Sequence, residues 1–288
     1  MTTRNEGLAK LDGTRAPFFP YAKEEFSRAE MDYFINMMRQ YFIQVDRFTG
    51  SLIDNVGGAY LSFPFGSFHQ DGNTTLTANI SNGSTTPIPV VSTAGFLSAG
   101  GLIIGDEIIA YTGKTDTTFT GITRGTKGTS SSAHTSGTAI SEAQTVTVGG
   151  IIPIAFTATD SSNDVYLNPT HNSRIEFVHA GRYNIQFSTQ LINYSSSEDN
   201  VTMWFRRNGV DVPYSAGIVS IIAKHAGKPG TIITSWNIIL DMEAGHYLEM
   251  MMASDSGNTV VATYPAGTSP VHPVSPSIIL TATYVSRL

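Results

Sequence analysis

Gly181-Arg182-Tyr183-Asn184-Ile185-Gln186-Phe187-Ser188-Thr189-Gln190-Leu191 alternates without a break. From Tyr183 every second residue is apolar or Thr, and the residues between are polar. A period of two belongs to a strand with one dry face and one wet face, whereas a helix needs a period near 3.6. The pattern recurs across residues 151–288, which hold about ten strand candidates separated by turn signals. Those signals are Ala180-Gly181, Asn208-Gly209, Glu243-Ala244-Gly245 and Ser256-Gly257-Asn258. Short antiparallel strands in this number predict a C-terminal sandwich or jelly roll. The chain as a whole reads as mainly β, with one N-terminal α-helix.

Several of these strands carry large apolar groups on both faces. Trp204 lies opposite Val201, Met203 and Phe205, and Ile239 lies opposite Trp236, Ile238 and Leu240. Tyr247 and Met251 lie opposite Leu248, Met250 and Met252. A monomeric sandwich is polar outside. Trp204, Ile239, Tyr247 and Met251 therefore predict a second buried surface, as in a symmetric oligomer. The alternative is that some of them lie under loops of their own chain.

Working towards the N-terminus, residues 142–150 read as a linker and 87–141 as a small β-barrel or β-roll module of short strands between Gly-rich turns. Residues 51–86 read as a connector. Residues 23–50 read as an amphipathic helix free of Gly and Pro up to Gly50, which is expected to stop it. Glu24 and Glu25 fall in its first turn, where the helix dipole favours acids. Met31, Phe34, Met38, Tyr41, Val45, Phe48 and Leu52 step alternately by three and four, the spacing of a coiled-coil seam. Ile35 and Phe42 widen the stripe, which suits a bundle of three or more helices or docking on a sheet. Residues 1–22 read as a Pro-punctuated extended arm. Its Phe18, Phe19 and Tyr21 are expected to dock on the chain's own body or on a neighbouring subunit.

Composition narrows the function classes. Of 288 residues only 14% are charged and 41% are hydrophobic, with 27 Gly. That balance describes a β-rich, turn-rich protein. A net charge of -6 and the lack of a basic cluster argue against nucleic acid as a partner. The absence of Cys removes disulfides, thiolate metal sites and Cys nucleophiles together. No basic-then-apolar leader and no run of 18 apolar residues occurs, so neither a visible secretion signal nor membrane insertion is expected. The seven histidines are scattered, and no G-x-S-x-G elbow occurs. Ala226–Thr231 resembles a phosphate loop only in its Gly and Lys. Asp160-Ser161-Ser162-Asn163-Asp164 lacks the Gly and Glu of a calcium hand and reads as a polar turn. No enzyme, cofactor or metal is expected.

Two resemblances add to this reading. Gly101-Leu102-Ile103-Ile104-Gly105-Asp106-Glu107-Ile108-Ile109-Ala110-Tyr111-Thr112-Gly113 is followed by Phe119-Thr120-Gly121-Ile122-Thr123-Arg124-Gly125, then Gly128-Thr129 and Ala133-His134. This succession resembles a small module that recurs in tailed-phage structural proteins. In the C-terminal region, Gly181-Arg182-Tyr183, Trp204 to Val210 and Leu240 to Glu249 resemble a domain of the complement-C1q and tumour-necrosis-factor type. His246 stands where that family usually has Asp, and Ser277 to Tyr284 replace its closing segment. The likeness therefore implies the jelly-roll fold and a homotrimer, but no ligand or calcium site.

Together these readings point to a structural component of a tailed-phage virion, assembled in the bacterial host cytoplasm. The leading expectation is a trimeric fibre or spike. Its arm and helix would meet other virion proteins of tail, neck or capsid, and its jelly roll would meet a host-surface glycan or protein. The alternatives are a capsid decoration (cement) protein and, third, a polysaccharide-degrading spike.

Overall fold

The computed structural model describes residues 27–53, 63–268 and 270–288; the side chains of residues 47–53 lie outside that description. The chain forms two units, divided between Ser62 and Phe63. The described part of the first is one helix, α1 (Arg28–Ile53). Its start is set by a capping box. The Ser27 hydroxyl accepts from the Glu30 N–H at 3.3 Å, and the Glu30 carboxylate accepts from the Ser27 N–H at 3.1 Å. The expected start near Lys23 overlooked this Ser-x-x-Glu signature. Gly50 does not end the helix, which continues to Ile53. One interior Gly costs only about 1 kcal/mol, which the surrounding turns can offset.

The second unit is all strand and loop. It opens with β1 (Phe65–Gln70) and β2 (Asn73–Thr75). Then come β3 (Ile88–Pro89), β4 (Gly100–Ile104), β5 (Glu107–Tyr111), β6 (Gly113–Lys114), β7 (Thr118–Thr120) and β8 (Thr123–Thr126). β9 (Ala139–Thr145), β10 (Ile151–Pro153), β11 (Ala158–Asn163), β12 (Val165–Leu167) and β13 (Ile175–Phe177) follow. The long strands are β14 (Gly181–Asn193) and β15 (Asp199–Arg207). After them run β16 (Val210–Asp211), β17 (Gly217–Ile221), β18 (Gly230–Met242), β19 (Tyr247–Ser254) and β20 (Thr259–Ala262). A small hairpin, β21 (Gly267–Thr268) and β22 (Val271–His272), precedes β23 (Ile278–Ser286).

These strands build a sandwich. One layer runs β11–β1–β23–β14–β18 and the other β12–β13–β19–β15–β17. The chain changes layer at β13–β14, β14–β15, β17–β18 and β18–β19, and every ladder between named strands is antiparallel. Antiparallel layers wound alternately in this way make a jelly roll. Between the layers, Tyr183, Ile185 and Phe187 of β14 meet Val201, Met203 and Phe205 of β15 and Leu248, Met250 and Met252 of β19. Phe187 packs edge-on to Trp236 at 4.3 Å and to Phe205 at 5.7 Å. The opening Gly181 is required by packing, because a Cβ there would lie 2.3 Å from the Tyr284 ring.

Two strands arise where sequence offered a connector and a turn. β1 pairs with β11 from Phe65↔Asn163 to His69↔Ala158. Asp160 to Asn163 is thus an edge strand, not a polar turn. Its Asp, Ser and Asn are poor strand formers, and its conformation comes from the ladder with β1.

The β-module encloses its own core, in which Ile88, Leu102, Ile104, Ile109, Tyr111, Phe119 and Ile140 meet. A three-stranded sheet, β3–β7–β6, and the sheet β9–β4–β5–β8 supply those residues. β9 runs from Ala139 to Thr145 across the boundary expected at residues 141 and 142. It pairs with β4 and β2 on the module side and with β20 on the jelly-roll side. Ile108, Ala143, Ile192, Tyr194, Val260 and Ala262 form a third core at that seam. Module and jelly roll are therefore one hydrogen-bonded body.

Candidate functional site

On α1 the expected seam residues Met31 and Phe34 are exposed, while Met38, Tyr41 and Val45 are half-buried. Phe48 and Leu52 lie outside the described side chains. Tyr33, Ile35, Phe42 and Ile43 are exposed as well, so apolar surface extends beyond a two-position stripe.

The four residues expected at a subunit interface do not share one surface. Ile239 projects from the outer face of the β14 layer and is 57% exposed. Trp204, Tyr247 and Met251 project from the outer face of the opposite layer. Met251 is only 2% exposed, so it offers nothing to another subunit. Its cross-strand neighbours are Trp204 on one side and Pro153 of β10 on the other, and the chain covers itself there. Tyr247 carries the Arg174 guanidinium 4.3 Å above its ring. Arg174 also binds Glu249 at 3.2 Å.

The outer face of the β14 layer is neutral over three strands. In register across it lie Ile279, Ser188 and Ser235, then Thr281, Gln186 and Asn237, then Thr283, Asn184 and Ile239. Gln190 pairs with Ile233, which is 67% exposed. A single ion pair, Arg182–Asp241 at 2.8 Å, closes the face at one end.

The outer face of the β15 layer differs. Around β16 the Asp211 Oδ1 accepts from Trp204 Nε1 at 2.8 Å and from Arg206 Nε at 2.7 Å. The Arg206 and Trp204 hydrogen bonds hold the Asp211 carboxyl below its ordinary pKa. Asn208 and Gly209 form the two-residue turn between β15 and β16, both with positive φ, as an Asn-Gly hairpin requires. Beyond β16 the chain bulges at Val212–Ser215. The Ser215 hydroxyl donates to the Val212 carbonyl at 2.8 Å and accepts from the Phe205 N–H at 3.0 Å. Held this way, Tyr214 sits at φ 63° and is fully exposed. Left-handed backbone at an aromatic residue costs about 1–3 kcal/mol and persists only when its surroundings impose it.

The module holds two buried carboxyls. Arg124 grips Glu107 in a fork, Nε to Oε1 at 2.7 Å and Nη2 to Oε2 at 2.8 Å. His134 Nε2 and the Gly125 and Ser132 N–H groups complete the shell. Burial would raise the Glu107 pKa, but these hydrogen bonds outweigh it and hold it at about 2. Glu107, Arg124-Gly125 and His134, far apart in the sequence of the module, are thus one buried ion cluster. Nothing in their spacing along the chain discloses that they meet. Glu142 on β9 has no such shell. It is fully buried against the Tyr111 hydroxyl, at 3.0 Å from Oε2, and burial pushes its pKa up to about 8.

Among the described residues no group of three His, Asp or Glu side chains is placed to hold a metal. No described helix is long and apolar enough to cross a membrane. A cleft of about 510 Å³ opens beside Gln190, Thr231, Ile233, Tyr264 and His272, without any carboxylate. The chain matches no protein family and no curated protein in sequence.

Proposed function

We propose that the protein is a structural component of a tailed-phage virion. In this reading it is a homotrimeric fibre or spike-like appendage, held by its N-terminal arm and helix and presenting the jelly roll to the host surface. The observation that carries it is the neutral face of β23, β14 and β18. A sheet face left in water ordinarily carries charge, whereas the buried centre of a protein–protein contact is depleted of it. Here Ile233, Ile239 and Ile279 stand exposed among Ser, Thr, Asn and Gln. Covering one such side chain contributes about 1.5–3 kcal/mol. The apolar surface of α1 supplies a second contact of the same kind. Assembly and presentation are thus the roles with physical support, and neither calls for a catalytic group.

The test is mass and place. Light scattering on the full chain should give three times the chain mass. Ile233→Asp with Ile239→Asp should lower it while the circular dichroism spectrum keeps its β signature. An antibody to the protein should label an appendage of intact particles. Labelling spread over the head would favour the cement alternative, and a monomer by mass would end the trimer reading.

A further inference from the structure

We propose that the corner formed by Trp204, Arg206, Asp211, Tyr214 and Ser215 is a binding site for a neutral glycan. The proposal rests on the attachment reading above and names the surface and ligand class for it. Three observations converge on this corner. The first is a fixed acceptor. Asp211 spends Oδ1 on Trp204 and Arg206, and among the described residues Oδ2 has no hydrogen-bond donor. An exposed carboxylate oxygen held from behind by two donors is pre-organised to accept from a ligand hydroxyl. The second is Tyr214, whose ring is fully exposed in a left-handed backbone position that the Ser215 hydrogen bonds impose. A strained, exposed aromatic has no role in the core, and its ring can stack on the C–H face of a sugar. The third is charge balance. Arg206 is paired with Asp211, and nearby Arg174 with Glu249.

That balance decides between partners. A charged polymer would need unpaired charge of the opposite sign, and both arginines here are already paired. A protein partner would need roughly 800 Å² per side with an apolar centre. Tyr214 and, on β17, Ile218 are the exposed apolar groups on this face, too few for such a centre. A neutral saccharide asks for what is present: ring faces, one fixed acceptor, and guanidinium N–H donors for hydroxyl oxygens.

The test uses the full chain and its Tyr214→Ala, Asp211→Asn and Trp204→Phe variants. Immobilised dextran, mannan, galactan and N-acetylglucosamine oligomers serve as probes, with dextran sulfate as the charged control. Attachment to bacteria susceptible to the particle is measured in parallel, after periodate or protease treatment of the cells. Binding to a neutral polymer should weaken roughly tenfold in Tyr214→Ala and about fivefold in Asp211→Asn. Trp204→Phe should also weaken it, because Asp211 loses one of its two anchors. Thermal unfolding should be nearly unchanged in Tyr214→Ala and Asp211→Asn and only slightly lowered in Trp204→Phe, which separates lost binding from lost folding. Cell attachment should fall after periodate and survive protease. Binding to dextran sulfate alone, protease-sensitive attachment indifferent to periodate, or variants that bind like the wild type would each overturn the site. Such results leave the trimeric appendage standing, since that reading falls only on mass and particle labelling.

Discussion

Glu107 and Glu142 lie in one small module, are both closed to solvent, and have pKa values shifted in opposite directions. Glu107 faces a guanidinium fork, an imidazole and two backbone N–H groups, and is ionised. Glu142 meets the Tyr111 hydroxyl and the Leu97 backbone, with the Lys114 charge further off, and burial outweighs all three and pushes its pKa up to about 8. The balance between desolvation and donors decides the direction: Glu107 lies less deep and has a cation among its donors, whereas Glu142 lies deeper and has none bonded to it. Their positions differ as well. Glu107 lies on β5 and is gripped by Arg124 of β8, whereas Glu142 sits on β9, the strand shared with the jelly roll.

The comparison breaks most sharply at Arg124. Arg124→Ala strands a buried carboxylate and frees the carbonyls of Ser81 and Ser84, which its Nη1 also binds. The expected loss is about 3–5 kcal/mol by urea denaturation at pH 7. A loss under 1 kcal/mol would mean that water already reaches Glu107.

Next in size is pH. The folded pKa of Glu142, about 8, lies above its ordinary 4.5. Its contribution is complete below pH 4.5 and is lost as pH rises towards 8, at up to about 1.4 kcal/mol per unit. Glu107 has the opposite sign. At about 2 in the fold, it stabilises above pH 4.5 and that gain is lost as pH falls towards 2. Calorimetry should therefore find the highest melting temperature near pH 4.5–5, and Glu142→Gln should flatten the alkaline limb alone. An unchanged alkaline limb in that variant would remove Glu142 from the account.

Asp199 offers a third case, in which no cation is involved. Its carboxylate accepts from the Ser254 hydroxyl at 2.7 Å, the Ser256 N–H at 2.9 Å and the Thr259 N–H at 3.1 Å. Burial works against ionisation, yet these hydrogen bonds lower its pKa. Asp199→Asn turns an amide donor towards at least one of those donors and should cost about 1–3 kcal/mol. The smallest effect is expected from Tyr111→Phe, about 1 kcal/mol at pH 5, with the alkaline limb starting at lower stability. Both are read from the same melting curves.

How far the sequence discloses this architecture depends on whether a signal is local. β14 was legible to the residue, because Gly181–Asn193 alternates and one face is dry. The Asn208-Gly209 turn was legible because only two left-handed residues close that hairpin. β1 and β11 were not, since Phe65-Gly66-Ser67-Phe68-His69-Gln70 and Ala158–Asn163 have almost no β-branched residues. Their strand geometry follows from a pairing about a hundred residues apart in sequence. The expected interface suffered from the same limit. Alternation says that Trp204, Ile239, Tyr247 and Met251 face away from their own cores, but not which layer each belongs to. Nor could it show that Pro153 would come to lie beside Met251. The corner at Tyr214 left one trace, Val212-Pro213-Tyr214-Ser215, an aromatic directly after a proline in a turn.

The entry of the chain into its second unit has a mechanical meaning. Within three residues of Phe63 the backbone is already in β1, between β11 and β23 in the middle of a layer. β1 is antiparallel to β11, with Phe65 opposite Asn163 and His69 opposite Ala158. A pull along the axis of β1 would load the rungs it shares with β11 together, in shear. Peeling would load the rungs one at a time and fail at far lower force. For an appendage of the kind proposed, such an entry point is the one that would resist drag.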